Sequence, residues 1–266
     1  IFKKPLDVGG PVGLSATANI FLGQVEAPLL VRPYLATMSK NELLILMTVG
    51  MSTIAGSVMV IYTTMLAPIY GLGLIGHFLT ASLISVPAGI MYANMMIPSD
   101  TKTDFPADDS SKMYSSTVDA ITRGTQSGID IFLNVAAMLI VVMALVYLVN
   151  AMLGIFPDIQ GQPLTMERIV GWIFAPLAWC MGIPWQESQA AGELLGVKTI
   201  LNEFVAYIYL ADTSTYVLSE KSSLIMLYAL CGFANFSSVG ILFSGMSAMV
   251  PERRKASIAV SLKALW

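Results

Sequence analysis

One histidine and two cysteines in 266 residues leave little material for metal or redox chemistry. His77 alone cannot build a His-based metal site or a His-centred triad, and no H-E-x-x-H, G-x-S-x-G or C-x-x-C pattern occurs. Cys180 and Cys231 lie far apart in apolar surroundings and read as reduced core residues, because a lone pair builds no disulfide framework. Charge is equally scarce. Asp, Glu, Lys and Arg fill 12% of positions, against about a quarter in a soluble domain. The stretches 43–99, 131–157, 169–186 and 222–251 hold none, which excludes a soluble globular chain. Nothing in the sequence points to a nucleic acid polymer as a partner; the partner implied is the lipid bilayer.

What is present is apolar length. Apolar residues make up 56% of the chain and the mean hydropathy is +0.73, the composition of an all-α, multi-pass integral membrane protein. A helix needs about 20 apolar residues to cross the hydrocarbon core, so 43–99 holds two spans, 131–157 and 222–251 one each, and 169–186 a marginal one. Two shorter apolar stretches, 14–22 and 29–35, flank the polar sequence GQVEAP and predict a re-entrant hairpin. A second is predicted over 186–218, with LNEFVAY near its apex. The span at 43–67 gathers Ser52, Thr53, Gly56 and Ser57 at its centre and the span at 223–249 carries GFANFSS; both are expected to break there. TMERIVGWIFAPLAWCMGIPW, rich in tryptophan and proline, suits an interfacial helix.

Hairpin followed by broken span thus occurs twice, at 14–67 and 186–249. Sliding the second broken span back by 182 residues sets Gly232 on Gly50, Asn235 on Thr53 and Ser238 on Gly56. An odd number of crossings separates the copies, so they enter from opposite faces, and inverted repeats with broken helices are the recurring design of secondary transporters. On this reading 1–128 is one transport half with a polar segment at 98–128, 129–157 a separate span, and 158–266 the second half. Crossing parity puts Arg32, Lys40, the 98–128 segment and Arg253, Arg254 and Lys255 on one side, which the excess of positive charge makes cytoplasmic. Arg253 to Lys255 read as a solvated turn.

An ionised carboxylate at membrane depth costs about 3 kcal/mol on insertion scales, so it persists only beside a partner or a wet cavity. Glu26 and Glu203 are the two candidates, each with an amide close by, Gln24 and Asn202. Either could instead cap half-helix N-termini in its own hairpin. With the polar breaks at Thr53, Asn235 and Ser238 they offer donors and acceptors but no positive charge, which suits a neutral, hydroxyl-rich ligand rather than an anion. The Asn19 and Thr53 side chains, with carbonyls freed where the helix unwinds, could coordinate one monovalent cation, or could only satisfy nearby backbone groups. The competing class is an intramembrane carboxylate enzyme using Glu26 and Glu203 as its two acids.

GQVEAPLLVRPYL, STIAGSV, FAPLAWCMGIPW, GVKTILNEFVAY and GFANFSSVGI stand in one order, and the chain that carries them resembles the C-terminal portion of a concentrative nucleoside transporter. The resemblance implies cation-coupled symport of nucleosides by alternating access, at a plasma membrane or bacterial inner membrane. It implies a homotrimer with contacts near 131–156. It further implies that Gln24, Val25, Glu26 and Val58 meet the nucleobase, that Glu203, Asn235 and Ser238 hold the ribose hydroxyls, and that Phe233 lines the same pocket. The Asn19 and Thr53 side chains with the Leu22 and Ile54 carbonyls would form the sodium site. Some members use protons, and another small neutral polar solute is the alternative cargo. The family pattern has three further spans before residue 1 and a complete last helix after Trp266.

Overall fold

Pro11 presets the first turn of α1 (Gly10–Ala18), which ends at its C-cap, Asn19. After a loop comes α2 (Glu26–Leu29), a single turn, then a 3-10 turn over Arg32–Tyr34. The second arm of the first hairpin is therefore not one continuous helix, as the apolar stretch 29–35 suggested: Pro28 and Pro33 withhold two N–H groups. In this computed structural model, which describes residues 8–71, 73–99, 101–104, 115–159 and 161–265, the chain continues through α3 (Lys40–Ser52), α4 (Gly56–Tyr70), α5 (Leu74–Met96), α6 (Thr117–Leu153), α7 (Met166–Cys180) and α8 (Trp185–Ile200). It closes with α9 (Glu203–Ala211), α10 (Glu220–Leu230), α11 (Phe236–Met249) and α12 (Arg254–Ser261). No strand occurs among the described residues, and much of the aspartate-rich segment, 105–114, lies outside them, as does Trp266.

Six helices start alike. Ser39, Ser116, Thr165, Asn202, Ser219 and Asn235 each accept a hydrogen bond from the N–H three residues on, and at α3 the Glu42 carboxylate returns the favour to the Ser39 N–H at 2.8 Å. Lys40–Tyr70, taken through its break, and Leu74–Met96 are long and apolar enough to cross a membrane; 23 residues of α5 rise about 35 Å. Ile140–Leu153 within α6 and Phe236–Met249 are shorter apolar helices.

Both broken spans interrupt where the polar residues gather, between Ser52 and Gly56 and between Leu230 and Phe236. The apolar side chains form two cores. One takes α4, the start of α5, and α8 to α10; the other takes α1, α3, the end of α5, α11 and α12. The broken spans therefore run in opposite senses, α3 to α4 from the second core to the first and α10 to α11 back again. They touch at their breaks, where the Phe233 N–H donates to the Thr53 carbonyl at 3.3 Å. Counted by helix starts, the two spans stand 180 positions apart and not 182; the second break is two residues longer than the first and α10 two residues shorter than α3.

Two sequence readings change here. Cys231 is buried but Cys180 is exposed, so only one of the two is a core residue. Arg253 is no solvated turn: its guanidinium donates to the Met38 carbonyl, while Arg32 donates to the Met249 carbonyl at 3.3 Å, so paired basic groups tie the base of the first hairpin to the end of α11. Arg32 and Arg253, both assigned to one face by crossing parity, thus meet at the base of the first hairpin.

Candidate functional site

Asn202 caps α9 through its side chain, accepting from the Val205 N–H at 2.9 Å, and that fixes Glu203 as the first residue of the helix. Glu203 is 6% exposed, and both carboxylate oxygens are engaged. Oε1 accepts from the Tyr62 hydroxyl at 3.0 Å and Oε2 from Asn235 Nδ2 at 3.0 Å. Asn235 is itself held, because its Oδ1 accepts the Ser238 N–H at 2.7 Å as the cap of α11. The carboxylate is oriented by elements 32 and 141 positions away in sequence. Tyr62 is locked in turn by aromatic neighbours, with Tyr207 at 4.7 Å, Phe78 at 6.1 Å and Phe204 at 6.2 Å between ring centroids.

In front of this group lies a cavity of about 380 Å³, within the size range of small-molecule pockets. All eight residues singled out for substrate contact line it: Gln24, Val25, Glu26 and Val58 on one side, Glu203, Phe233, Asn235 and Ser238 on the other. They come from four separate segments that only the crossing of the broken spans brings together. The N-termini of α4, α9 and α11 all reach the cavity wall, and the positive ends of their dipoles favour the two carboxylates there. No Lys or Arg lines it. Gln24 is buried with its Oε1 unpartnered among the described residues, an acceptor without a donor beside the cavity. Glu26, by contrast, is exposed at the first position of α2.

Tyr62, Phe204, Ser57, Ile61 and Ser237 also line the cavity and were not among the sequence candidates. Tyr62 carried a signal, a phenol six residues beyond the break in an otherwise apolar helix, since buried tyrosines keep a partner for their hydroxyl. Its partner, however, lies in another element. Gly23, which also lines the cavity, makes room for a carboxylate: a Cβ there would fall 2.2 Å from Glu26 Oε2.

The residues considered for a cation gather at two helix C-termini. Asn19 caps the end of α1 and Thr53 the end of α3, both almost fully buried. Asn19 Nδ2 donates to the Val49 carbonyl at 2.8 Å and to the Thr53 hydroxyl at 2.5 Å, which leaves Asn19 Oδ1 buried without a partner. Among the described residues the Leu22 and Ile54 carbonyls accept no backbone hydrogen bond. Ile54 is buried, whereas Leu22 is 37% exposed. Hard oxygens, one of them orphaned, at the negative ends of two helices fit a small monovalent cation.

Residues 77–266 match the family described as Na+ dependent nucleoside transporter C-terminus. The chain belongs to that family. It is 37% identical over 268 residues to the nucleoside permease NupC of Helicobacter pylori, covering 99% of this chain and 63% of that protein. It is 38% identical over 270 residues to human solute carrier family 28 member 3, covering 94% of this chain and 38% of that protein. A solved structure of CNTnw in an inward-facing, substrate-bound state matches with a TM-score of 0.81 at 36% identity, over 99% of this chain and 62% of that one. The chain thus spans less than two thirds of the length of these relatives. The family is one of all-helical integral membrane transporters, not enzymes, which removes the intramembrane carboxylate enzyme.

Proposed function

We propose that the complete protein carries nucleosides across a bacterial inner membrane or plasma membrane by alternating access, coupled to sodium. The observation that carries this is the convergence of two carboxylates and three amides on one cavity otherwise walled by neutral and apolar groups. Glu203, with each oxygen already accepting one hydrogen bond, keeps lone pairs free for two vicinal hydroxyls, as a ribose presents them. Asn235 and Ser238 stand beside it for the sugar, while Gln24, Val25, Glu26 and Val58 face the base and Phe233 closes the pocket. Three helix N-termini and two carboxylates at the cavity leave no strong positive field to favour an anion.

The Asn19 and Thr53 cluster supports sodium as the coupling ion, with a proton as the other possibility carried by the family. The opposed senses of the two broken spans support two re-entrant hairpins in an inverted repeat. In that arrangement 1–128 and 158–266 are the transport halves and 129–157 belongs to a scaffold. The outward apolar side chains of α6, such as Tyr147, Leu148 and Met152, suit lipid or the contacts of a homotrimer.

Glu203→Gln in the complete protein should raise the uridine KM about 10-fold or more, as expected when a hydrogen bond to a charged group worth about 1.5–3 kcal/mol is lost. 2′-Deoxy and 3′-deoxy analogues should compete less well than uridine. Unchanged uptake kinetics in the variant, at equal surface expression, would remove Glu203 from the site.

A further inference from the structure

The turn from α11 into α12 holds three cations, Arg253, Arg254 and Lys255. A fourth, Arg32, reaches the same place from the base of the first hairpin, donating to the Met249 carbonyl at 3.3 Å, while Arg253 donates to the Met38 carbonyl. Neither carbonyl neutralises a charge. Arg123 and Arg168 face the carboxylates of Asp119 and Glu193, but among the described residues no carboxylate pairs with Arg32, Arg253, Arg254 or Lys255. The one acid in the turn, Glu252, is exposed and pairs with none of them.

The helix gains nothing from these charges. Arg253 is the N-cap of α12 and Arg254 and Lys255 are its first two residues, so all three lie at the positive end of its dipole, where cations are disfavoured. Four like charges gathered there repel one another, and an anion among them removes the repulsion. Farther along the helix the surface changes character. α12 packs on α11 and α3 with Ser257, Val260 and Ser261 buried, and its outer face carries Arg254, Ile258 and Leu262 at intervals of four. Ile258 is 50% and Leu262 58% exposed. Because α11 runs outward from its break and α12 turns back, Arg254 lies at the rim and Leu262 two turns deeper, about 12 Å along the axis. The Arg254 guanidinium lies over the Phe243 ring of α11, 5.7 Å from its centroid, which seats the charge beside apolar surface.

A soluble anion would answer the charges and leave the apolar stripe unused; a neutral acyl chain would cover the stripe and leave the charges unanswered. An anionic phospholipid answers both. We propose that this end of the molecule binds one anionic phospholipid, its phosphate held by Arg254 and Lys255 with Arg32 and Arg253 behind them, and an acyl chain laid along Ile258 and Leu262. The lipid sits where the Arg32 and Arg253 bonds join the first hairpin to α11 and α12, and it reinforces that joint.

The test uses the complete protein, purified in a neutral detergent, and reads its melting temperature as phosphatidylglycerol, phosphatidylcholine with the same acyl chains, or inorganic phosphate is added. Phosphatidylglycerol should stabilise the parent along a saturable curve that phosphatidylcholine does not match, and inorganic phosphate at the same concentrations should do nothing. Arg254→Gln combined with Lys255→Gln should raise the phosphatidylglycerol concentration for half-saturation about 25-fold, as two cations beside an anionic headgroup contribute about fivefold each. Both side chains are exposed, so the lipid-free melt of this variant should stay near the parent's. The charge-keeping pair Arg254→Lys with Lys255→Arg should bind as the parent does, and Lys221→Gln, at the start of α10 in the other core, should change nothing. Ile258→Ser with Leu262→Ser should weaken the lipid effect as well. Equal shifts with both lipids, or a phosphatidylglycerol curve unmoved by the neutral pair, overturn the site. Inorganic phosphate reproducing the whole shift, or a curve unmoved by the two serines, overturns the lipid and leaves a soluble anion as the ligand.

Discussion

Glu203 meets a ligand with its plane already set, because Tyr62 and Asn235 hold one oxygen each. Orientation settled before binding costs nothing at the moment of binding. Tyr62→Phe keeps the ring packing against Phe78 and Tyr207 and removes only the donor. It should therefore leave expression and thermal stability near the parent value while raising the uridine KM about tenfold, the effect of roughly 1.4 kcal/mol. Uptake kinetics beside a thermal melt check this, and equal losses in both would make Tyr62 a packing residue only. Glu203, Glu26, Gln24 and Asn19 were legible in the sequence because a polar group is conspicuous where charge is scarce. Tyr62 and Arg253 were not, since their meaning lies in partners on other elements: Glu203 for one, and the Met38 carbonyl for the other.

At the scale of helices, the pair α7 and α8 packs most closely among the described residues. Gly192 and Gly196 form a small-xxx-small stripe on α8, and Gly192 lies against Gly171 of α7. A Cβ on Gly192 would sit 2.4 Å from the Gly171 carbonyl oxygen and 2.8 Å from the Ala175 nitrogen, both backbone atoms that cannot swing aside. Gly192→Ala should force the helices apart and destabilise the protein by about 1–3 kcal/mol, as overpacking does. Gly76→Ala in α5 is the comparison, because nothing lies within 4 Å of its Cβ and alanine favours the helix by about 0.8–1 kcal/mol. Melting in detergent should fall for the first and hold or rise for the second. The sequence predicted an interfacial helix at 165–185 from its tryptophans; the helix formed is Met166–Cys180, and its Ile173, Leu177 and Trp179 are exposed. The glycine seam on the opposite face was missed because its partner is a helix whose approach only folding defines.

For the whole molecule, the crossing of the broken spans matters most. Each span contributes one segment to each apolar core, so the polar breaks are left at the level between the cores, where the cavity and the Asn19 and Thr53 cluster lie. Uptake should require sodium, and Thr53→Val, which removes the hydroxyl beside Asn19, should raise the sodium concentration for half-maximal uptake several-fold while leaving the maximal rate closer to the parent. Full uptake driven by a pH gradient in sodium-free buffer would assign the coupling to a proton instead.

Composition and patterning alone determined the membrane environment, the two broken spans and the scarce polar residues worth attention, because apolar length and isolated charge are properties of the chain itself. The helix caps were also local, set by side chains three residues from the N–H groups they satisfy. Tertiary structure decided what no local pattern contains: the register of 180 between the broken spans, the donors that orient Glu203, the guanidinium on the Met38 carbonyl and the backbone contact at Gly192. Each of these joins segments distant in sequence, and a hydrogen bond or a steric contact exists only when two such segments are brought within about 3 to 4 Å of one another.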